Sequence, residues 1–163
     1  MDTPTLSLSL TVADAAEALA FYEKALGIKE LFRLPLPDGT VVHAEFLLGN
    51  CRLFVSPPSS DWKAEALPEG QAASCLFAVE SDDPDASYAR AVEAGCEEVS
   101  EPANQIWGVR TAVVKDPFGY RWNFRKVVEE LTPEQRQAVS AAARASIEED
   151  MMEGGVGDGG DDR

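Results

Sequence analysis

Leu6-Ser7-Leu8-Ser9-Leu10-Thr11-Val12 and Ser74-Cys75-Leu76-Phe77-Ala78-Val79 are the two stretches that decide the fold. The first alternates apolar and polar side chains strictly. That is the period of a half-buried strand, with its leucines turned to a core and Ser7, Ser9 and Thr11 turned to something more polar. The second stretch is its counterpart. Superposing Val12 on Val79 puts Ser7 on Ser74, Phe21 on Tyr88 and, with one residue of slack, Gly27 on Gly95. The chain repeats itself, and the repeat unit is the unit of folding.

Working outward from the first stretch, Asp14 caps a helix, with Glu17 three residues on as a capping-box partner. Ala18, Leu19, Phe21, Tyr22 and Leu26 are its apolar residues, and Gly27 ends it. Strands are predicted over 28–34, 40–48 and 51–55, separated by the turn Pro35-Leu36-Pro37-Asp38-Gly39 and by Gly49-Asn50. A Pro/Ser-rich linker runs from Ser56 to about Gly70. After the second stretch, Asp82-Asp83-Pro84-Asp85 opens another helix, which Gly95 stops. Strands follow over 96–100, 109–114 and 120–124, the last two joined by the tight turn Asp116-Pro117-Phe118-Gly119. The unit is strand–helix–strand–strand–strand, used twice. A third helix starts at Thr132, where Pro133 takes the first position and Gln135 completes a T-x-x-Q capping box. Val139, Ala143, Ile147 and Met151 form a narrow stripe along it, fit to dock on the domain or on a second subunit. From Glu153 to Arg163 the chain is Gly/Asp-rich and reads as a disordered acidic tail.

Composition excludes several classes. The 163 residues suffice for one ordinary domain, and no apolar run approaches the ~20 residues of a membrane-spanning helix. The net charge of −15 repels a phosphate backbone, which argues against nucleic acid. Residues 1–128 carry nineteen acids and eleven bases, a net charge of −8; the rest of the excess lies in 129–163. Long-range attraction therefore favours cationic small molecules, and the same charge also serves solubility. Cys51, Cys75 and Cys96 are odd in number and widely spaced, so neither a zinc knuckle nor a disulfide framework is indicated. The first ten residues lack a basic n-region and an Arg-rich transit character, which makes a cytoplasmic location the expectation.

Several motifs carry a family resemblance. Val12-Ala13-Asp14-Ala15-Ala16-Glu17-Ala18-Leu19-Ala20-Phe21-Tyr22, followed by Ala25-Leu26-Gly27, resembles the opening of the vicinal oxygen chelate superfamily. This is the fold of glyoxalase I, bleomycin-resistance proteins and extradiol dioxygenases. His43-Ala44-Glu45-Phe46, Trp107-Gly108-Val109-Arg110 and Asp116-Pro117-Phe118-Gly119-Tyr120-Arg121-Trp122 resemble its PhnB-like branch, and so does Glu129-Glu130-Leu131-Thr132-Pro133-Glu134. The resemblance implies an α+β fold: two tandem βαβββ modules, about 5–56 and 71–126, within a domain spanning 1–128. They would form a curved, barrel-like sheet around a concave cavity, followed by a C-terminal helix at 129–152 and the tail at 153–163. It also implies a homodimer, since single-chain members commonly pair.

In such proteins a divalent metal, when present, is held by His, Gln or Glu from strands one and four of each module. Those positions fall here on Ser7, Ser74 and Asn123, and on or beside Leu53. Neutral hydroxyl and amide oxygens offer neither charge nor strong σ donation, so no metal and no other cofactor is expected. His43 is the one histidine. It is a candidate general base, with Glu45 on the same strand face to orient it, or else a structural residue. Ser7, Ser9 and Ser74 are expected to line the concave face. Trp107 is a candidate ligand wall, Arg110 and Arg121 are candidate clamps for an anionic group, and Asn123 faces the cavity beside Arg121. Trp122, of opposite parity, belongs to the core. Two departures limit the carry-over: Lys126-Val127 stands where relatives often have Thr-His, and Tyr120 replaces a histidine. Three functions follow: a metal-independent small-molecule binder of the resistance or sequestration type, a glyoxalase-like lyase or isomerase using His43, and an acidic module that engages a basic protein.

Overall fold

The structure, a computed structural model, describes residues 6–153; the acidic stretch beyond Glu153 lies outside the described residues. The first module runs β1 (Ser7–Thr11), α1 (Ala15–Leu26), β2 (Lys29–Pro35), β3 (Val41–Leu48) and β4 (Cys51–Ser56). The second runs β5 (Leu76–Glu80), α2 (Pro84–Ala94), β6 (Glu97–Asn104), β7 (Val109–Lys115) and β8 (Arg121–Val127), and α3 (Pro133–Glu153) follows. This is the α+β, tandem βαβββ arrangement expected from the repeat. Each module makes one mixed four-stranded sheet, ordered β1-β4-β3-β2 and β5-β8-β7-β6. The sheets are curved and do not close into a barrel. The strand anticipated from Ser74 begins two residues later, at Leu76, which leaves Ser74 exposed in the bend before it.

The caps read at Asp14, Gly27 and Gly95 act as expected. Asp14 accepts from the backbone N–H groups of Ala16 and Glu17 at 2.8 and 3.0 Å, and Gly27 closes α1 in the left-handed conformation. Asp83 and Gly95 do the same for α2. Arg90 of α2 reaches back to the last carbonyls of α1, donating to Ala25 O at 3.2 Å and Leu26 O at 3.4 Å. A cation placed on a helix C-terminus satisfies orphan carbonyls and meets the negative end of the dipole.

The inward faces of both sheets share one core with the two helices. Cross-strand registers put Leu10, Val55 and Ala44 in one inward row and Leu8, Leu53 and Phe46 in the next. Tyr22 of α1 lies between the sheets, with ring centroids 5.7 Å from both Phe46 and Trp122. Trp122 is 1% exposed, as its parity required.

Asp116 is the polar centre of this core. It is 2% exposed, yet it accepts four hydrogen bonds. Tyr22 Oη donates at 2.7 Å, Trp122 Nε1 at 2.8 Å, and the backbone N–H groups of Phe118 and Tyr120 at 2.9 Å. Burial pushes its carboxyl above the usual carboxylate range, against the pull of those donors. Nearby, the Tyr120 hydroxyl accepts from Thr11 N at 2.9 Å and donates to Thr11 O at 3.0 Å, so the second module holds the first strand of the first. Gly119 is required where it stands: φ is +90°, and a Cβ would lie 2.5 Å from the Gln71 carbonyl oxygen.

The chain divides into two compact units, one with residues 1–103 and 111–126, the other with 104–110 and 127–163. In the second unit, Val139 of the α3 stripe is half-buried while Ala143 and Ile147 are exposed. The Met151 side chain lies outside the described residues. No described helix is long and apolar enough to cross a membrane.

Candidate functional site

The outward face of the first sheet can be built from its registers, because directly paired residues share a face. One row reads Phe32, Glu45, Phe54, Ser9 across β2, β3, β4 and β1. On one side stand Leu47, Arg52 and Ser7; on the other, Leu34 with His43, and Ser56 with Thr11. A cavity of about 970 Å³ lies on this face, lined by Ser7, Ser9, Thr11, His43, Phe54 and Ser56, with Trp62 contributed by the linker. One wall is aromatic and the floor is a row of hydroxyls, the mixture of apolar surface and few fixed polar groups that binds small molecules.

His43 is the polar centre of that wall. Its ring centroid lies 5.5 Å from Phe54 and 6.4 Å from Phe32. Nε2 is 3.1 Å from Glu45 Oε1 and Nδ1 is 3.3 Å from Ser56 Oγ. A carboxylate accepts only, so in the neutral ring the proton sits on Nε2 and Nδ1 is the acceptor for the Ser56 hydroxyl. Glu45 is shared: Arg52 Nη1 donates to its other oxygen at 2.5 Å. The hydrogen bond from His43, and then that from Arg52, hold its carboxyl below the ordinary glutamate range.

Ser7, Ser9, His43 and Glu45 therefore meet on one face, and Ser74, Arg121 and Asn123 do not join them. Arg121 and Asn123 lie on β8, where their register partners are Leu76 and Ala78 of β5. Because both inward faces enter one core, the outward face of the second sheet is separate from that of the first. Ser74 precedes β5. Trp107 and Arg110 belong to the second unit, where Arg110 Nη1 donates to Asn104 Oδ1 at 3.0 Å. Trp107 there lines a smaller cavity, about 460 Å³, with Val109, Leu131 and Val139.

Phe54, Ser56 and Trp62 escaped the reading of the sequence. For Phe54 a signal existed: Leu53 is fully buried, so its neighbour faces outward, where the first module's carried-over ligand position was placed on or beside Leu53. Ser56 and Trp62 sit in or beside a linker whose course the sequence does not encode by any period.

The donor set does not fit a divalent metal. Among the described residues no three His, Cys, Asp or Glu side chains converge. The carried-over positions present hydroxyls at Ser7 and Ser74, the alkyl chain of Leu53 or the phenyl ring of its neighbour Phe54, and an amide at Asn123, with Ser7 and Asn123 on different sheets.

Comparison with known proteins agrees with the architecture. Residues 6–124 match the family described as Glyoxalase/Bleomycin resistance protein/Dioxygenase superfamily. The uncharacterized protein Mb0911c of Mycobacterium bovis is 33% identical over 142 residues, which is 85% of this chain and 93% of that one. Among solved structures, a glyoxalase/bleomycin resistance protein/dioxygenase from Nocardioides superposes with a TM-score of 0.63 at 24% identity, covering 82% of this chain and 89% of its own. TioX from Micromonospora sp. ML1 superposes with a TM-score of 0.62 at 22% identity, covering 76% and 99%. With the duplicated βαβββ unit, its two curved sheets and this match over most of its length, the chain belongs to the glyoxalase/bleomycin-resistance/dioxygenase superfamily.

Proposed function

We propose that this chain is a metal-independent, PhnB-like member of its superfamily that binds a small molecule on the outward face of the first sheet. The observation that carries the reading is the cavity of about 970 Å³ beside His43, Phe54 and Trp62. Aromatic rings present their negative faces to a guest, and the net charge of −15 draws cations toward the surface. An aromatic or cationic guest fits both. Sequestration of the kind that bleomycin-resistance relatives are named for needs no more than such a pocket.

A homodimer belongs to the same reading. Each sheet leaves its outward face open within one chain. Leu31, Phe32, Leu34 and Leu36 expose 45% to 49% of their surface along β2 and the turn that follows. A second copy would cover that surface and give the pocket a roof.

The test is a thermal-shift panel of aromatic cations, aromatic anions and bleomycin, with binding confirmed by titration. Stabilisation by an aromatic or cationic member is the expected result. If no member stabilises the fold, the binding reading fails.

A second reading rests on one observation, the Ser56–His43–Glu45 chain of hydrogen bonds. In that chain Nδ1 is the basic atom, and a substrate that displaces the Ser56 hydroxyl from it would meet a base able to take a proton from a carbon next to a carbonyl, as a lyase or isomerase does. A His43→Gln variant separates the two readings: loss of turnover with retained affinity supports catalysis, and loss of affinity alone supports binding.

A further inference from the structure

The cavity of about 460 Å³ in the second unit is built largely from chain that follows residue 124, where the family match ends. Local bonds fix its frame. The turn between β6 and β7 is closed by Gln105 N–H, donating to Val109 O at 2.8 Å, and by Gly108 N–H, donating to Gln105 O at 3.0 Å. The Gly108 carbonyl accepts from Val128 N at 2.9 Å and Glu129 N at 3.1 Å, which ties the chain leaving β8 to that turn. The approach is so close that a Cβ on Gly108, at φ +78°, would lie 2.3 Å from the Glu129 carbonyl oxygen. Thr132 and Gln135 cap α3 reciprocally: Gln135 Oε1 accepts from Thr132 N at 2.7 Å, and Thr132 Oγ1 accepts from Gln135 N at 3.3 Å. Arg136, Val139 and Ser140 follow at helix spacings i, i+3 and i+4, so one face of α3 lines the cavity.

Two kinds of group meet there. Trp107 and Val127, each 52% exposed, form an apolar wall with Val109, Leu131 and Val139. Beside the wall stand two opposite charges. Arg136 Nε donates to the Leu131 carbonyl at 3.2 Å, which orients the guanidinium, and its Nη groups have no partner among the described residues. The Glu130 carboxylate has none among them either. Glu129, by contrast, accepts from Gln135 Nε2 at 3.4 Å. A cation and an anion that line one cavity without pairing to each other are available to a ligand that carries both charges.

We propose that this cavity binds a free α-amino acid with an apolar side chain. The Arg136 guanidinium is a fork of donors that matches the two oxygens of the ligand carboxylate. The Glu130 carboxylate accepts only, and the ligand ammonium donates only. The ligand side chain then lies against Trp107 and the aliphatic residues, removing their exposed surface from water. A chain of net charge −15 repels simple anions at long range, and a zwitterion, with no net charge, escapes that penalty. The volume lies within the range of small-ligand pockets. The site belongs to the second unit, shares no residue with the pocket beside His43, and does not depend on the function proposed for that pocket.

The test is an NMR titration of the full chain at pH 7, following the indole N–H signals of Trp62, Trp107 and Trp122. The probe is L-phenylalanine. Phenethylamine, which lacks the carboxylate, and 3-phenylpropionate, which lacks the ammonium, are the controls. The expected result is a saturable shift of the Trp107 signal with Trp62 unmoved, and a Kd for each control roughly three- to tenfold higher than for L-phenylalanine, the worth of one charged contact at a partly open site. Arg136→Gln should abolish the preference over phenethylamine, and Glu130→Gln the preference over 3-phenylpropionate. Both side chains are exposed, so neither change threatens the fold, and the comparison of the three probes needs no variant. A Trp107 signal that L-phenylalanine does not move overturns the proposal. So does binding of phenethylamine as tight as that of L-phenylalanine, because it removes the role of Arg136. A Trp107 shift that follows protein concentration and ignores the probes assigns the cavity to a contact between two copies and overturns it as well.

Discussion

Removing the Asp116 carboxylate should be among the most damaging single changes available to this chain. Asp116→Ala leaves Tyr22 Oη, Trp122 Nε1 and the N–H groups of Phe118 and Tyr120 without their acceptor in a core that excludes water. Each orphaned donor costs about 1–3 kcal/mol, and the four do not add, since the Tyr22 hydroxyl can turn away. We expect a loss of about 4 kcal/mol, which lowers Tm by roughly 10 °C in a domain of this size. Asp116→Asn is milder. Its oxygen can keep the two backbone donors, while its amide faces the Trp122 N–H, donor against donor, at a cost of about 1–3 kcal/mol. Adding Trp122→Phe to Asp116→Asn removes that conflict, so the double variant should lose less than the sum of the singles. The pH dependence has a definite sign. The folded carboxyl titrates above its unfolded value. As pH rises from about 4 through the folded pKa, the unfolded chain ionises first and the wild type loses stability; Asp116→Asn lacks that slope. Urea denaturation followed by circular dichroism measures all three effects. A loss below about 1 kcal/mol for Asp116→Ala, or strict additivity in the double variant, refutes the reasoning.

Other expectations follow from single features. Gly119→Ala forces a Cβ against the Gln71 carbonyl at positive φ, and should cost about 1–3 kcal/mol in chemical denaturation. Cys96 is buried and its thiol is pushed up to about 12, whereas Cys75 is exposed. At pH 8 a thiol reagent should therefore modify Cys75 at once and Cys96 only after unfolding. Glu45 titrates below its unfolded value because His43 and Arg52 hold it ionised. Its stabilisation is present above about pH 4.5 and is lost as pH falls through the folded pKa, so Glu45→Gln should lower the urea midpoint near pH 6 and leave it unchanged at the acid end.

Much of this was legible in the residues. Strict alternation from Leu6 to Val12 and its echo at Ser74 fixed two modules, because a period of two has one structural meaning when helix caps and glycines bracket it. Parity placed Ser7 and Ser9 outward, His43 and Glu45 on one face and Trp122 inward, as the registers have them. What parity does not carry is which faces meet. The expectation of one floor shared by Ser7, Ser74 and Asn123 joined two outward faces, while the single chain packs its inward faces together through Tyr22, Phe46 and Trp122. Asp116 read as turn chemistry because its neighbours Pro117 and Gly119 are turn residues. Its role as acceptor for Tyr22, 94 residues away in sequence, is a tertiary fact with no local signature.

The pocket beside His43 is tested most directly by the emission of Trp62. In a Trp107→Phe chain the fluorescence comes from Trp62, 85% exposed, and Trp122, 1% exposed. A compound that stabilises the fold in the thermal-shift panel should quench or blue-shift the exposed component along a saturation curve with the same Kd as the stabilisation. Saturable stabilisation with the Trp62 emission unchanged would place the ligand elsewhere and contradict the account.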